Sequence, residues 1–252
     1  MSSRDPGRQP KYQRIAAELR AAVEAGQYGP GDRLPGENDL MATHGVARMT
    51  ARQALGALQA EGIVEARKGS GVFVRDFRPV RRRGIERLAH AGWGEGRSVW
   101  AADSAGRELV VDSVEVSVED APPVIAGVLE LAEGARVCVR RRRYTLDSKP
   151  VLLATSYLPA DLASGTPIAQ PDTGPGGIYA RLAELGREPV RFREEVRSRM
   201  PSGDEAERLA LPSGVPVMLI ARTAFDSDGT AVEVNEMVLD SSAYVLEYGF
   251  EA

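Results

Sequence analysis

The sequence predicts an α+β fold in two parts: a small helix–turn–helix with a β-hairpin, then a larger domain of antiparallel hairpins interleaved with helices. Three observations predict it. Residues 31–74, GDRLPGENDLMATHGVARMTARQALGALQAEGIVEARKGSGVFV, set two helical segments, a glycine turn and a glycine-tipped hairpin in a row. From residue 109 onward, period-two alternation and turn clusters are interspersed with short helical stretches, the pattern of an antiparallel sheet with helices packed on it. Charge divides the chain as well. Residues 1–83 carry 15 basic and 9 acidic side chains, a net of +6, whereas residues 84–252 carry 17 and 27, a net of −10. The overall −4 therefore hides an N-terminal part that attracts phosphates and a remainder that repels them.

Tyr12 to Gly26 reads as an amphipathic helix, with Tyr12, Ile15, Ala16, Leu19 and Val23 on one stripe and Gly26 at its C-cap. Gly29-Pro30-Gly31-Asp32 is a turn cluster. Pro35-Gly36 stops the preceding chain, and a short helix runs from Glu37 to His44 with Gly36 as N-cap. Gly45 breaks it and supplies a tight turn. A second helix, Ala47 to Ala60, sets Met49, Leu55 and Leu58, joined by Ile63, toward a core. Arg48 and Arg52 are four apart and share one face near its N-terminus, the part of a recognition helix that meets base edges. Gly62 ends the helix. Ile63–Arg67 and Val72–Arg75 read as strands around the basic, glycine-rich tip Lys68-Gly69-Ser70-Gly71.

Residues 77–94 read as a linker, punctuated by Pro79 and Gly84. The run Arg81–Arg83 is expected to stay out of any core, as a solvated face or as added phosphate contacts beside the hairpin. The first domain then spans 1–76 and the second 95–252. In the second, Leu109–Val118 alternates as a half-buried strand, Pro122–Leu131 suits a short helix, and Arg136–Leu146 turns through Asp147-Ser148-Lys149 into Val151–Leu158. Ile178–Leu185 and Asp204–Leu211 read as helices, and Val217–Phe225 with Ala231–Leu239 as a second hairpin about Asp226–Gly229.

The N-terminal residues resemble the GntR family of bacterial transcription regulators, whose DNA-binding domain is a winged helix–turn–helix. The family's pattern is met by Tyr12, Ile15, Ala16, Leu19 and Arg20, then Gly31 to Leu40, Gly45 to Leu55, Glu61-Gly62, and Gly69 to Val74. The chain departs from it where the family's Ser-Glu-Arg stands as Gly36-Glu37-Asn38, its Ser as Ala47 and its Val as Ala51. These changes leave the operator sequence open rather than DNA binding itself. Asp147 to Pro150, Ser156 to Pro159, and Leu211-Pro212 with Gly214 and Pro216-Val217 resemble the UTRA effector-binding domain of the HutC branch. That resemblance implies a chorismate-lyase-like antiparallel sheet with a ligand pocket, homodimerisation, and release of DNA when a small metabolite binds.

The expected DNA contacts are Arg48 and Arg52 on base edges, Thr50 and Asn38 on phosphates or bases, and Lys68, Gly69 and Ser70 at the wing tip. Arg140, Arg142 and Tyr144 alternate onto one strand face, where an arginine can clamp a carboxylate or phosphate. The resemblance adds Ser156, Tyr157, Glu236 and Asp240 as pocket positions.

Other classes find little support. The 252 residues are 43% apolar, enough for two cores. No apolar run nears the roughly twenty residues that span a bilayer, and MSSRDPGRQPK lacks the apolar stretch of a signal peptide. One cysteine, Cys138, leaves no internal disulfide and fits a reducing cytoplasm. With His44 and His90 the two histidines, neither a zinc cluster nor another cofactor is expected, and a Ser/His/Asp site would have to use His90. Gly69-Ser70-Gly71 and Gly174-Pro175-Gly176-Gly177 lack the spacing of a phosphate loop or dinucleotide fingerprint. The expectation is a bacterial, cytoplasmic, non-enzymatic regulator, nucleoid-associated on DNA, most simply a homodimeric repressor released from a palindromic operator by a small-molecule effector. The alternatives are an activator, or a small-molecule-binding or lyase-like protein with incidental DNA contact.

Overall fold

The computed structural model describes residues 9–67, 69–75, 80–83, 88 and 109–249. Two compact units divide the chain: residues 1–78 together with 212–215 form the first, and residues 79–211 with 216–252 the second.

The first unit contains helices α1 (Lys11–Glu24), α2 (Glu37–His44) and α3 (Arg48–Ala60) and the antiparallel pair β1 (Val64–Arg67) and β2 (Gly71–Val74). Ile15, Ala16 and Leu19 of α1 meet Leu40 of α2, Ala51, Ala54, Leu55 and Leu58 of α3, and Val64 and Val74 of the hairpin in one core. The buried stripe of α3 therefore runs i, i+3, i+4, i+7 from Ala51. Met49, expected in that core, falls off the stripe and is 61% exposed. Gly45 closes α2 at φ 58°, ψ 47°, the left-handed conformation that a side chain rarely adopts. The Arg20 guanidinium of α1 forks onto Glu61, just past the end of α3, at 2.9 and 2.6 Å.

The second unit is built on a six-stranded antiparallel sheet. Its strands are β4 (Leu109–Asp120), β5 (Arg136–Leu146), β6 (Lys149–Pro159), β7 (Arg191–Arg199), β8 (Val217–Phe225) and β9 (Ala231–Asp240), in the order β4-β5-β6-β9-β8-β7. A separate parallel pair joins β3 (Val80–Arg83) to β10 (Tyr244–Glu247). Short helices α4 (Pro123–Val128), α5 (Ala160–Ala163), α6 (Gly177–Glu184) and α7 (Gly203–Arg208) complete it, with a 3₁₀ turn at Pro167–Ala169. On one sheet face Cys138, Leu158 and Ala224 pack with Ala163, Ile168, Tyr179 and Leu182, and Tyr144, Leu152 and Met237 pack with Val80 and Tyr244. The other face carries Val137, Val139 and Val234 against Ile125 and Leu129, and Leu153 and Val217 against Leu209. Both faces are thus covered.

Three sequence expectations are corrected here. Residues 80–83, assigned to a linker, form a strand. Period-two alternation turns Val80 and Arg82 inward at 2% and 1% exposure, while Arg81 reaches Glu247 in solvent at 3.1 Å. Arginine is therefore not excluded from this interior. Leu109–Val118 is a strand, but half-buried only in part: β4 lies at the sheet's edge, a register break between Val111 and Ser113 interrupts its alternation, and Val110, Val111 and Val118 are exposed while Val114 and Val116 are partly buried. β7 and β10 had no expected counterpart. The remainder of the 77–94 assignment, and Lys68 and His90, lie outside the described residues.

Candidate DNA-reading helix and ligand cavity

In the first unit, Arg48 and Arg52 project from the N-terminal turns of α3 with side chains 64% and 70% exposed. Glu37, at the start of α2, faces both: its carboxylate oxygens stand 3.5 Å from the Arg48 Nε and 3.5 Å from the Arg52 Nε. Arg48 also donates to the Asn38 Oδ1 at 3.1 Å. The turn at Gly45 sets α2 against α3 so that one acid loosely gathers two arginines. Exposed pairs of this length are weak, so both guanidinia are free to move onto a polyanion. Thr50 is half-buried on the same turn, and Asn38 is exposed. Gly69 and Ser70 are exposed in the hairpin turn, where Gly69 takes φ 74° and Gly71 φ 120°. Behind the tip, Arg67 lies over the Phe73 ring at 4.4 Å and contacts Glu65 at 2.9 Å. Gln53, one turn beyond Met49, is exposed as well.

The second unit encloses a cavity of about 520 Å³. Its floor is one face of the sheet. The register Arg140↔Ser156↔Asn235↔Arg222 runs a polar row across β5, β6, β9 and β8, and Arg142, Tyr144 and Glu233 flank it. Its wall is the segment from Pro171 to Tyr179, which includes the glycine cluster at 174–177. Val111 and Val114 of β4 supply apolar lining.

The four consecutive arginines of β5 meet three different fates. Arg141 and Arg143 point to the far face. Arg141 forks onto Glu119 at 2.6 and 2.9 Å, and together with the Ser117 hydroxyl this holds the Glu119 carboxyl down at about 2. Arg143 forks onto Asp112 at 3.0 and 2.7 Å. Arg140, 2% exposed, donates to the carbonyls of Ile168, Gln170 and Pro171 and so ties the cavity wall to its floor. Burial, then the Arg142 charge, lowers its pKa from the ordinary value. Arg142 donates to the Ser156 hydroxyl and also bonds the Tyr144 hydroxyl. Among the described residues no carboxylate lies within ion-pair distance of it. Its Nε and the Oδ1 of Asn235 are buried without a hydrogen-bond partner there.

Beside the cavity lies a buried ionic knot. Glu194 of β7 accepts from the Arg222 Nε at 2.9 Å, stands 3.6 Å from the Arg82 Nη2, and accepts from the Tyr248 hydroxyl at 2.9 Å. Both arginines are 1% exposed and both reach the Met237 sulfur. Burial works against the Arg222 charge, but Tyr179 and Glu194 more than offset it and its pKa is raised. Burial, then the Glu233 charge, pushes the Tyr179 hydroxyl up.

Of the pocket residues expected from sequence, Arg140, Arg142 and Tyr144 line the cavity, and Ser156 lies beneath it as the Arg142 acceptor. Tyr157 and Glu236 do not line it. They sit on the opposite face, where Tyr157 packs with Val137 and Val139. Asp240 is fully buried and accepts from the Ser242 amide and hydroxyl at 2.8 and 2.6 Å, closing the turn after β9. The cavity residues of β9 are Glu233 and Asn235. Nearly every residue of β9 is buried, so its two faces cannot be told apart by hydropathy. The available signal was a pair of polar residues two apart, Glu233 and Asn235, in an apolar run. Among the described residues no cluster of three or more His, Cys, Asp or Glu side chains is placed to hold a metal, and no helix is long and apolar enough to cross a membrane.

A helix–turn–helix with a hairpin wing, followed by an antiparallel-sheet unit with a ligand-sized cavity, defines a DNA-binding regulator that takes a small molecule. Residues 11–74 match the family described as bacterial regulatory proteins, gntR family, and residues 104–245 match the UTRA domain; the chain belongs to the GntR family of transcription regulators, in its UTRA-bearing, HutC-like branch. It is 34% identical over 250 residues to an HTH-type transcriptional regulator of Streptomyces coelicolor, covering 96% of this chain and 93% of that one. It is 31% identical to the HTH-type transcriptional repressor PhnF of Mycolicibacterium smegmatis over 88% of this chain and 85% of the relative. It is 25% identical to the repressor NagR of Bacillus subtilis over 93% and 92%. A crystal structure described as a GntR-family transcriptional regulator superposes with a TM-score of 0.66 at 27% identity, covering 97% and 98% of the two chains.

Proposed function

We propose that the protein is a homodimeric repressor that holds a palindromic operator through two winged helices and leaves it when a small anionic metabolite enters the cavity. Arg48 and Arg52 read bases, guanine being the favoured partner of arginine, while Thr50, Asn38 and the wing tip at Lys68, Gly69 and Ser70 take phosphates or groove edges. In this reading residues 1–76 bind DNA, 95–252 bind effector and dimerise, and the chain between them includes the strand at 80–83.

The observation that carries the effector half is Arg142. Its three neighbours in sequence are taken, Arg141 and Arg143 by acids and Arg140 by carbonyls, whereas Arg142 faces the cavity with hydroxyl partners. An uncompensated, partly buried guanidinium favours a carboxylate or phosphate there. The buried Asn235 Oδ1, without a hydrogen-bond partner among the described residues, calls for a donor on the same ligand. The repressor names of two relatives support the sign of the regulation.

The experiment is a footprint on the DNA upstream of the protein's own gene at physiological salt, repeated with metabolite pools and with Arg142→Ala. A discrete palindromic footprint that the wild type loses to a metabolite fraction, and Arg142→Ala keeps, is the expected result. A mutant released as fully as the wild type removes Arg142 from the effector site. Binding that shows no sequence preference at that salt removes the operator reading altogether.

A further inference from the structure

The first turns of α3 present two adjacent stripes rather than one. Arg48 and Arg52 form the first, and Met49 and Gln53, also four apart, form the second. All four are exposed, on the side of the helix away from the buried Ala51, Ala54, Leu55 and Leu58. A single exposed methionine is ordinary on a protein surface. This one is 61% exposed, belongs to no part of its unit's core, and stands between the two arginines in sequence and beside them in space. The arginines have Glu37 and Asn38 as resting partners, whereas no hydrogen bond of the Gln53 amide is found among the described residues.

The two stripes carry different chemistry. Arginine forks suit guanine O6 and N7. In the major groove an A·T pair offers what G·C does not, a thymine methyl group and an adenine N6/N7 edge that a glutamine amide grips with two hydrogen bonds. A flexible thioether suits the methyl, and Met49 and Gln53 sit about 5–6 Å apart at Cβ, as neighbours on a helix surface do. We propose that Met49 and Gln53 form a second reading stripe that selects an A·T pair beside the guanine read by the arginines, with Met49 on the thymine methyl and Gln53 on the adenine edge. This rests on the reading above that α3 enters the major groove.

The test starts with duplexes selected from a random-sequence pool by the full-length protein. Each thymine of the selected site is then replaced singly by deoxyuridine, which removes the methyl and keeps every hydrogen bond. Each adenine is replaced singly by 7-deazaadenine, which removes N7. One deoxyuridine position per half-site is expected to weaken wild-type binding about fourfold, the worth of one buried methyl group. That same position is expected to be silent in Met49→Ala. One 7-deazaadenine position is expected to cost roughly fivefold and to be silent in Gln53→Ala. Both residues are exposed, so unchanged melting temperatures of the two variants verify that the fold is intact. The proposal is overturned if deoxyuridine is silent at every position in the wild type, or if its cost persists in Met49→Ala. If the pool yields no preferred duplex, the recognition-helix reading fails first and this proposal falls with it.

Discussion

Arginine does opposite work in the two units. Arg48 and Arg52 stand on α3 with about two-thirds of each side chain in water, sharing one carboxylate at 3.5 Å. Arg82 and Arg222 are 1% exposed around Glu194. In the first setting the charge stays hydrated and the local pairing is weak, so the guanidinia remain available to a partner. In the second the charges have been taken out of water, and Glu194 sits between them as a shared counter-charge. The lesson is that removing a charge from the exposed set changes binding and spares the fold, whereas disturbing the buried set does the reverse.

The largest effect expected of this contrast is Glu194→Ala. It leaves two buried arginines without the acid between them, and breaking a buried pair in this way costs about 3–5 kcal/mol. Urea unfolding of the second unit should show that loss. A cost below about 1 kcal/mol would mean that other groups compensate Arg82 and Arg222, and the contrast would lose its basis. Next comes Arg52→Ala. The expected loss is about 1–3 kcal/mol of specific binding per half-site, with stability unchanged within about 0.5 kcal/mol. Retained operator affinity in a gel shift, or a clear drop in melting temperature, would put Arg52 in the structural class instead.

The same contrast explains what the sequence revealed and what it hid. Elements bounded by turns and filled by one periodicity were readable: β5 as Arg136–Leu146 and β8 as Val217–Phe225 have the expected limits, and α2 ends at Gly45 because the backbone there needs a positive φ. The exposed arginines were readable too, because helical spacing puts Arg48 and Arg52 on one face whatever the rest of the chain does. Arg82 was not. Three arginines in a row read as solvated, and only the pairing of β3 with β10 and the acid delivered by β7, an edge strand rich in charge, make an interior site for the middle one. β7 itself was hidden because RFREEVRSR has too few apolar residues to announce a strand.

The ligand cavity was half legible for a related reason. On β5 the alternation of Arg140, Arg142 and Tyr144 fixes which residues share a face, though not which face is concave. On β9 both faces are buried, so parity had no hydropathic marker, and the expectation fell on Glu236 and Asp240 in place of Glu233 and Asn235. Met49 shows the converse. Hydrophobicity assigned it to a core that Ala51 and Ala54 fill. A large apolar residue off the buried stripe and a small one on it are both invisible to composition.

The smallest effect expected concerns a pair between the two extremes. Glu205 caps α7, accepting from the Ser202 amide at 2.8 Å, and takes a two-point grip from Arg199 at 2.6 and 2.7 Å. The Arg199 hydrogen bonds, against the opposing pull of burial, hold its carboxyl at about 2, below the ordinary 4.5. A carboxyl whose folded pKa is lowered adds stability above its unfolded pKa and loses it as the pH falls toward the folded one. Arg199 is 44% exposed, so solvent screening reduces the contribution to about 1 kcal/mol. Glu205→Gln keeps an acceptor for the Ser202 amide and removes the charge alone. The wild type should exceed this variant by that amount at pH 7, and the gap in urea midpoint should narrow as pH falls from about 4.5 toward 2. A gap that stays constant across the window would show that the grip is geometric, with the same worth whether or not the carboxyl is charged. The pair would then belong with the loosely held arginines of α3 rather than with the buried ones around Glu194.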